Sequence, residues 1–318
     1  MITAILFIIG FFLLIKGADV LVDGSAAIAK KFNISNIVIG LTIVAFGTSA
    51  PELIVNIFAS VQGNSEIAIG NILGSNIANI LLILGISAII YPLTAKKNTV
   101  LKEIPFNLLA IIILGVMTND IIIDGGIFSG LSRIDGIVLL GFFIIFLAYT
   151  VGITKSEDDI VDVNKIDELS FHRSILYVLL GLVGLVVGGK WIVDGAVNIA
   201  EFFNVSQSLI GLTVVAIGTS LPELATSAVA AFKKQSDIAI GNVVGSNIFN
   251  IFFVLGISST IRPLPFNNNS NGDILMTIIA SIILLLVVLD KKRVIYRYEG
   301  ILMVLTYFAY VVVLVLTK

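Results

Sequence analysis

The sequence contains no cysteine and a single histidine, His172. Without cysteine there are no disulfides or thiolate metal sites, and the redox compartment is left unread. With one histidine, set in a polar stretch, a zinc centre lacks its nitrogen ligands. A hydrolase built on Ser49 or Ser220 likewise lacks a base. Charge is also scarce: 13% of residues are charged and 58% hydrophobic, where a soluble domain carries about 25% charged residues. With mean hydropathy +1.09, the 318 residues read as an integral membrane protein. The net charge of −2 offers no basic surface for nucleic acid.

Apolar runs long enough to cross a hydrocarbon core of about 30 Å predict an all-α architecture. Ten spans are expected, over residues 2–32, 35–61, 66–90, 104–119, 131–153, 174–203, 206–232, 237–261, 273–290 and 298–317. The first lacks the positive flank and small-residue cleavage site of a signal peptide and is read as a retained span. Residues 154–173 form an acidic connector, and 267–273, NNNSNGD, a second loop.

The chain repeats itself at an offset of 171: Gly17–Leu93 aligns with Gly188–Leu264 without a gap. VDG, IGLT, GTSxPEL, IAIGN, GSNI and LGIS recur in both. The expected organisation is a five-helix repeat over 1–153, the linker 154–173, and a second five-helix repeat over 174–318. Five is odd, so the second repeat enters the membrane from the other side. Basic residues agree, because cytoplasmic loops accumulate Lys and Arg. With both termini outside, 14 of the 19 basic residues fall at cytoplasmic ends and only Arg133, Arg262 and Lys318 outside. Inverted repeats place a transporter's binding site near the midplane.

Glu52 and Glu223 fall near the middle of spans two and seven, where a charge costs about 2.5–3.5 kcal/mol on insertion scales and marks function. Pro51 and Pro222 lack the N–H that would bond four residues back, so the helix is expected to open around Gly47-Thr48-Ser49 and Gly218-Thr219-Ser220. Ala45, Thr48 and Ser49 share the face of Glu52; Ala216, Thr219 and Ser220 share that of Glu223. In spans three and eight, Asn71, Ser75 and Asn79, and Asn242, Ser246 and Asn250, recur every fourth residue on one face. Gly70 and Gly74, like Gly241 and Gly245, would permit close helix approach. Carboxylates, hydroxyls, amide oxygens and released carbonyls suit a hard cation; Ca2+ takes about 6–8 oxygens. Asp23 and Asp194 are expected at the rim as capping or gating contacts, with Lys16 and Lys190 snorkelling. Ser35 and Ser206, inside NIS and NVS, are expected as helix N-caps.

At these residues the sequence resembles the sodium/calcium exchanger family of the calcium:cation antiporters, in its prokaryotic form. GTSAPEL with GSNIANI, and GTSLPEL with GSNIFNI, match that family's two α-repeats. The resemblance covers essentially the whole chain and implies the ten-helix exchanger fold, in which long helices one and six slide against an ion-binding core. It implies that Glu52 and Glu223 are the central Ca2+ and Na+ ligands, and that Thr48, Thr219, Ala45 and Ala216 offer carbonyls. Ser49, Ser220, Ser75 and Ser246 would flank Na+ positions, with Asn79 and Asn250 facing the centre. Relatives that carry an acid at the position of Asn250, or glutamates at those of Ser75 and Ser246, differ here. The asparagines argue against potassium coupling, and the serines against proton coupling.

The expected function is therefore electrogenic Na+/Ca2+ exchange in the cell membrane by a monomer without cofactor. Two ionised glutamates with one Ca2+ sum to zero, and with three Na+ to +1. The empty, doubly charged site is too costly to move when dry, which makes exchange obligatory. A Ca2+/H+ antiporter and a passive cation channel are the alternatives; a channel would need a continuous lining ring.

Overall fold

In lipid every backbone N–H and C=O must find its partner inside the protein, and a helix does this within one segment. The apolar runs accordingly become helices. The computed structural model describes residues 2–125, 128–153, 169–202 and 216–317. Among them, eight helices are long and apolar enough to cross a membrane. These are α1 (Ile2–Phe32), α4 (Ser65–Ile90), α5 (Thr99–Met117), α7 (Arg133–Ile153), α8 (Phe171–Phe202), α11 (Ser236–Ile261), α12 (Asn271–Val288) and α13 (Arg297–Thr317). A ninth span is the pair α2 (Asn36–Thr48) and α3 (Ala50–Gln62), bent by 47°. α6 (Asp120–Asp124) is a short helix after α5. Of the expected span 206–232, α9 (Ala216–Thr219) and α10 (Leu221–Phe232) are described.

Ser206 and the linker segment 154–168 lie outside the described residues. The linker's end is corrected: α8 begins at Phe171, so exposed His172 occupies a helical first turn, not a polar loop. Span four begins earlier than expected, at a π-helical turn, Thr99–Glu103. Ser35 holds the N-cap position of α2 but makes no side-chain cap; its hydroxyl is buried instead. Two short antiparallel pairs went unforeseen. Leu93 and Thr94 pair with Ile295 and Val294, and Gly130 and Leu131 with Pro265 and Leu264. Each joins connectors far apart in sequence, and two residues are too few to show a periodicity.

Packing sorts the helices. The most apolar window of α11 is 94% buried and that of α4 78%, whereas that of α13 is 17% buried. The two central helices carry the asparagines and serines, and the outer ones show large apolar side chains to lipid. α1 and α8 lie against each other along a glycine seam. A Cβ on Gly17 would fall 2.8 Å from the Gly181 oxygen, and one on Gly188 2.7 Å from the Gly10 oxygen. Backbones approach this closely only where side chains are absent. Gly241 and Gly245 pack the same way on α2, where Cβ atoms would lie 2.9 and 2.7 Å from the oxygens of Ile37 and Leu41. Among the described residues nothing lies within 4 Å of a Cβ built on Gly70 or Gly74.

Candidate functional site

The two prolines break their helices as the sequence predicts. Ser49 sits at φ −82°, ψ 8° between α2 and α3, and Ser220 at φ −86°, ψ 4° between α9 and α10. Pro51 and Pro222 leave the carbonyls of Gly47 and Gly218 without the usual donor four residues on. A new helix starts immediately afterwards, so Glu52 and Glu223 both fall in a first turn. There the unpaired N–H groups and the positive end of the helix dipole favour a carboxylate. Glu52 is 1% exposed and Glu223 0%.

Each acid is fastened by a hydroxyl from the other break. The Ser49 hydroxyl donates to Glu223 Oε1 at 2.9 Å, and that of Ser220 to Glu52 Oε1 at 3.4 Å. The neighbouring central helices add a second donor to each oxygen. Ser75 reaches Glu52 Oε1 at 3.5 Å and Ser246 reaches Glu223 Oε1 at 3.4 Å. In both glutamates Oε2 is buried with no hydrogen-bond partner among the described residues. Among the described residues no Lys, Arg or His pairs with either acid; ion pairs lie elsewhere, among them those of Lys16 with Asp19, Lys96 with Asp237, and Lys233 with Asp19 and Asp23.

Four asparagines meet where α4 crosses α11. Asn79 Nδ2 donates to Asn247 Oδ1 at 2.9 Å, and Asn250 Nδ2 to Asn76 Oδ1 at 3.1 Å. Asn76 and Asn247 donate reciprocally to each other's main-chain oxygens, both at 3.3 Å. Asn79 Oδ1 and Asn250 Oδ1 remain buried without a partner among the described residues. Both residues lie in π-helical turns, Ala78–Ile83 and Asn250–Leu255, a distortion common at functional sites.

The remaining expected residues border this nest. Thr48 donates to Asn242 Oδ1 at 3.0 Å and to the Ala45 oxygen at 3.3 Å. That same Ala45 oxygen accepts from Ser49 N at 3.0 Å. Thr219 donates to Asn71 Oδ1 at 3.4 Å, and Ala216 opens α9 one turn before. The faces expected from i, i+4 spacing are thus brought onto the two breaks. Asn56, whose Nδ2 holds the Glu52 main-chain oxygen at 3.0 Å, was not anticipated, nor were Asn76 and Asn247. The aligned GSN tripeptides were their signal. At the rim, Asp23 pairs with Lys233 at 2.7 Å, while Asp194 is exposed.

The donor set contains only oxygen. Among the described residues no group of three or more His, Cys, Asp or Glu comes together, so the charge of the site is that of two carboxylates. Four buried oxygens without partners among the described residues, two of them carboxyl oxygens, fit a hard cation. The profile of the sodium/calcium exchanger protein family matches residues 2–152 and 173–316. The chain belongs to the sodium/calcium exchanger family. It is 33% identical to the sodium/calcium exchanger MaX1 of Methanosarcina acetivorans, over 98% of this chain and 97% of that one. It is 40% identical to a membrane protein of Methanocaldococcus jannaschii, over 95% and 94%. Its fold superposes on the sodium-calcium exchanger NCX_Mj, soaked with Na+ and Ca2+, at a TM-score of 0.84 with 38% identity and 98% of each chain covered. This sodium/calcium exchanger family member is thus a multi-pass membrane protein with the exchanger fold.

Proposed function

We propose that this protein exchanges Na+ for Ca2+ across the cell membrane by alternating access, with the cations bound between Glu52 and Glu223. The observation that carries this is the exchanged pair of hydroxyl contacts, Ser49 to Glu223 and Ser220 to Glu52. They tie both carboxylates into one buried nest with no fixed cation among the described residues. Glu52 and Glu223 would neutralise Ca2+, and Asn79 and Asn250 would supply neutral oxygens. Ser49, Ser75, Ser220 and Ser246 would turn their lone pairs to Na+, with Thr48, Thr219, Ala45 and Ala216 contributing carbonyls.

Charge sets the energetics. Two carboxylates with Ca2+ are neutral, and with three Na+ carry +1. The sodium-loaded form then feels the membrane potential, about 2.3 kcal/mol per charge per 100 mV, which drives Ca2+ out of an inside-negative compartment. An unloaded pair of anions stays put because desolvating them is prohibitive. The two five-helix halves, 1–153 and 174–318, would lie inverted about this site with the linker 154–173 cytoplasmic and both termini outside. The unit of exchange would be a monomer in the bilayer.

Radiocalcium uptake into liposomes containing the purified protein tests the reading. Uptake should follow an imposed Na+ gradient, respond to voltage, and vanish in Glu52→Gln and Glu223→Gln. Uptake that follows a pH gradient instead would make the protein a Ca2+/H+ antiporter. Flux that needs no counter-ion would make it a channel.

A further inference from the structure

We infer that Asn76 and Asn247 are positioning residues for the cation site: they clasp the amides of Asn79 and Asn250 by the nitrogen end, leaving the oxygen end of each for the ion. The inference rests on the exchange reading only for what those oxygens bind. An asparagine side chain can be rotated end for end, exchanging two N–H donors for an acceptor. A cation accepts the oxygen and repels the NH2 group. Nothing in the side chain itself makes that choice; its neighbour must.

Here the neighbour is fixed by backbone. Asn76 and Asn247 each spend their own NH2 on the other's main-chain oxygen, at 3.3 Å both ways. Their Oδ1 atoms are thereby turned to the NH2 groups of Asn250 and Asn79, at 3.1 and 2.9 Å. Reversing Asn79 would set its Oδ1 against Asn247 Oδ1, two acceptors with no proton between them. Reversing Asn250 would do the same at Asn76. All four residues are at most 1% exposed, so water cannot relieve the mismatch, and an unmatched buried polar atom is costly. Among the described residues, the only amide oxygens left without partners in the clasp are those of Asn79 and Asn250. Asn76 and Asn247 do not need to touch the ion to set its cage.

A double-mutant cycle on Ca2+ binding tests this, read by calorimetry on purified, monodisperse protein. Groups that orient a metal's ligands typically cost about 10–100-fold in affinity when removed. Asn247→Leu should therefore weaken Ca2+ binding by about tenfold in the wild-type background. In an Asn79→Ala background, where the amide that Asn247 orients is gone, it should change binding by less than about twofold. The Asn76→Leu and Asn250→Ala pair repeats the test independently, and Asn247→Ala replaces Asn247→Leu if the larger side chain prevents folding. Equal losses from Asn247→Leu in both backgrounds, or none in either, would overturn the assignment while leaving Na+-driven Ca2+ uptake by the wild type intact. Absence of that uptake in the wild type would instead reject the exchange reading.

Discussion

Ser49 lies three residues before Glu52, yet its hydroxyl is bonded to Glu223, at 2.9 Å. The residue that breaks one half's helix thus holds the other half's acid, and the reciprocal contact, Ser220 to Glu52, is longer at 3.4 Å. The two halves therefore do not bind their acids equally.

That inequality is measurable. Removing a donor from a buried charged acceptor costs about 1.5–3 kcal/mol, so Ser49→Ala should lower apparent Ca2+ affinity by roughly tenfold or more. Ser220→Ala, which removes the longer bond, should lower it less. Concentration dependence of radiocalcium uptake for the two variants checks the order; a larger loss from Ser220→Ala would contradict it.

Asn250→Asp should add to exchange a pH dependence set by the new carboxyl. The Asn250 NH2 donates to Asn76 Oδ1, and an aspartate there can keep that bond only while it carries a proton. Below its titration the variant should retain the wild-type charge balance. Above it the site gains a third negative charge, and Ca2+ transport should itself become voltage-dependent. Uptake measured across a pH series at two membrane potentials distinguishes this from simple loss of binding.

The glycine seam between α1 and α8 should tolerate no side chain. Gly17→Ala places a Cβ within 2.8 Å of backbone atoms of Gly181 and Leu185, and overpacking of this kind costs about 1–3 kcal/mol. We expect a lowered melting temperature in detergent together with lost exchange. Gly141→Ala, where a Cβ meets nothing within 4 Å among the described residues, serves as the neutral comparison.

Lys233 ties the end of α10 to α1 through Asp19 at 2.6 Å, Asp23 at 2.7 Å and the Asp19 main-chain oxygen at 2.9 Å. The position aligned with it in the first repeat is exposed Gln62, so this tie has no equivalent by the repeat's symmetry. Lys233→Gln should cost no more than about 1 kcal/mol of stability, because the groups are partly exposed. The loss should shrink in high salt. Lys233→Glu, which sets three carboxylates together, should cost more, and thermal melts at low and high salt would show both effects.

Much of the site was legible because it is written in short range. The proline after GTS dictates where the ladder opens, and an acid within an apolar run has few structural reasons to exist. Spacing of four residues placed Ser75 and Ser246 on the faces that reach Glu52 and Glu223. The π-helical turns, the β pairs and the clasp of Asn76 with Asn247 were not legible. The β pairs and the clasp join residues far apart in sequence, 171 positions in the clasp, and GSN reads equally well as a packing motif. The π-helical turns are local but carry no residue pattern that sets them apart from α-helix.

The sequence by itself determined that the chain lives in a membrane, that it is built on a repeat, and that each repeat carries one acid beside a broken helix, since hydropathy, proline geometry and charge cost are local quantities. Only the tertiary structure decided which hydroxyl serves which acid and which end of each amide is left over. Those choices depend on how two distant segments cross, where a hydrogen bond made across the crossing fixes an orientation that no local preference specifies.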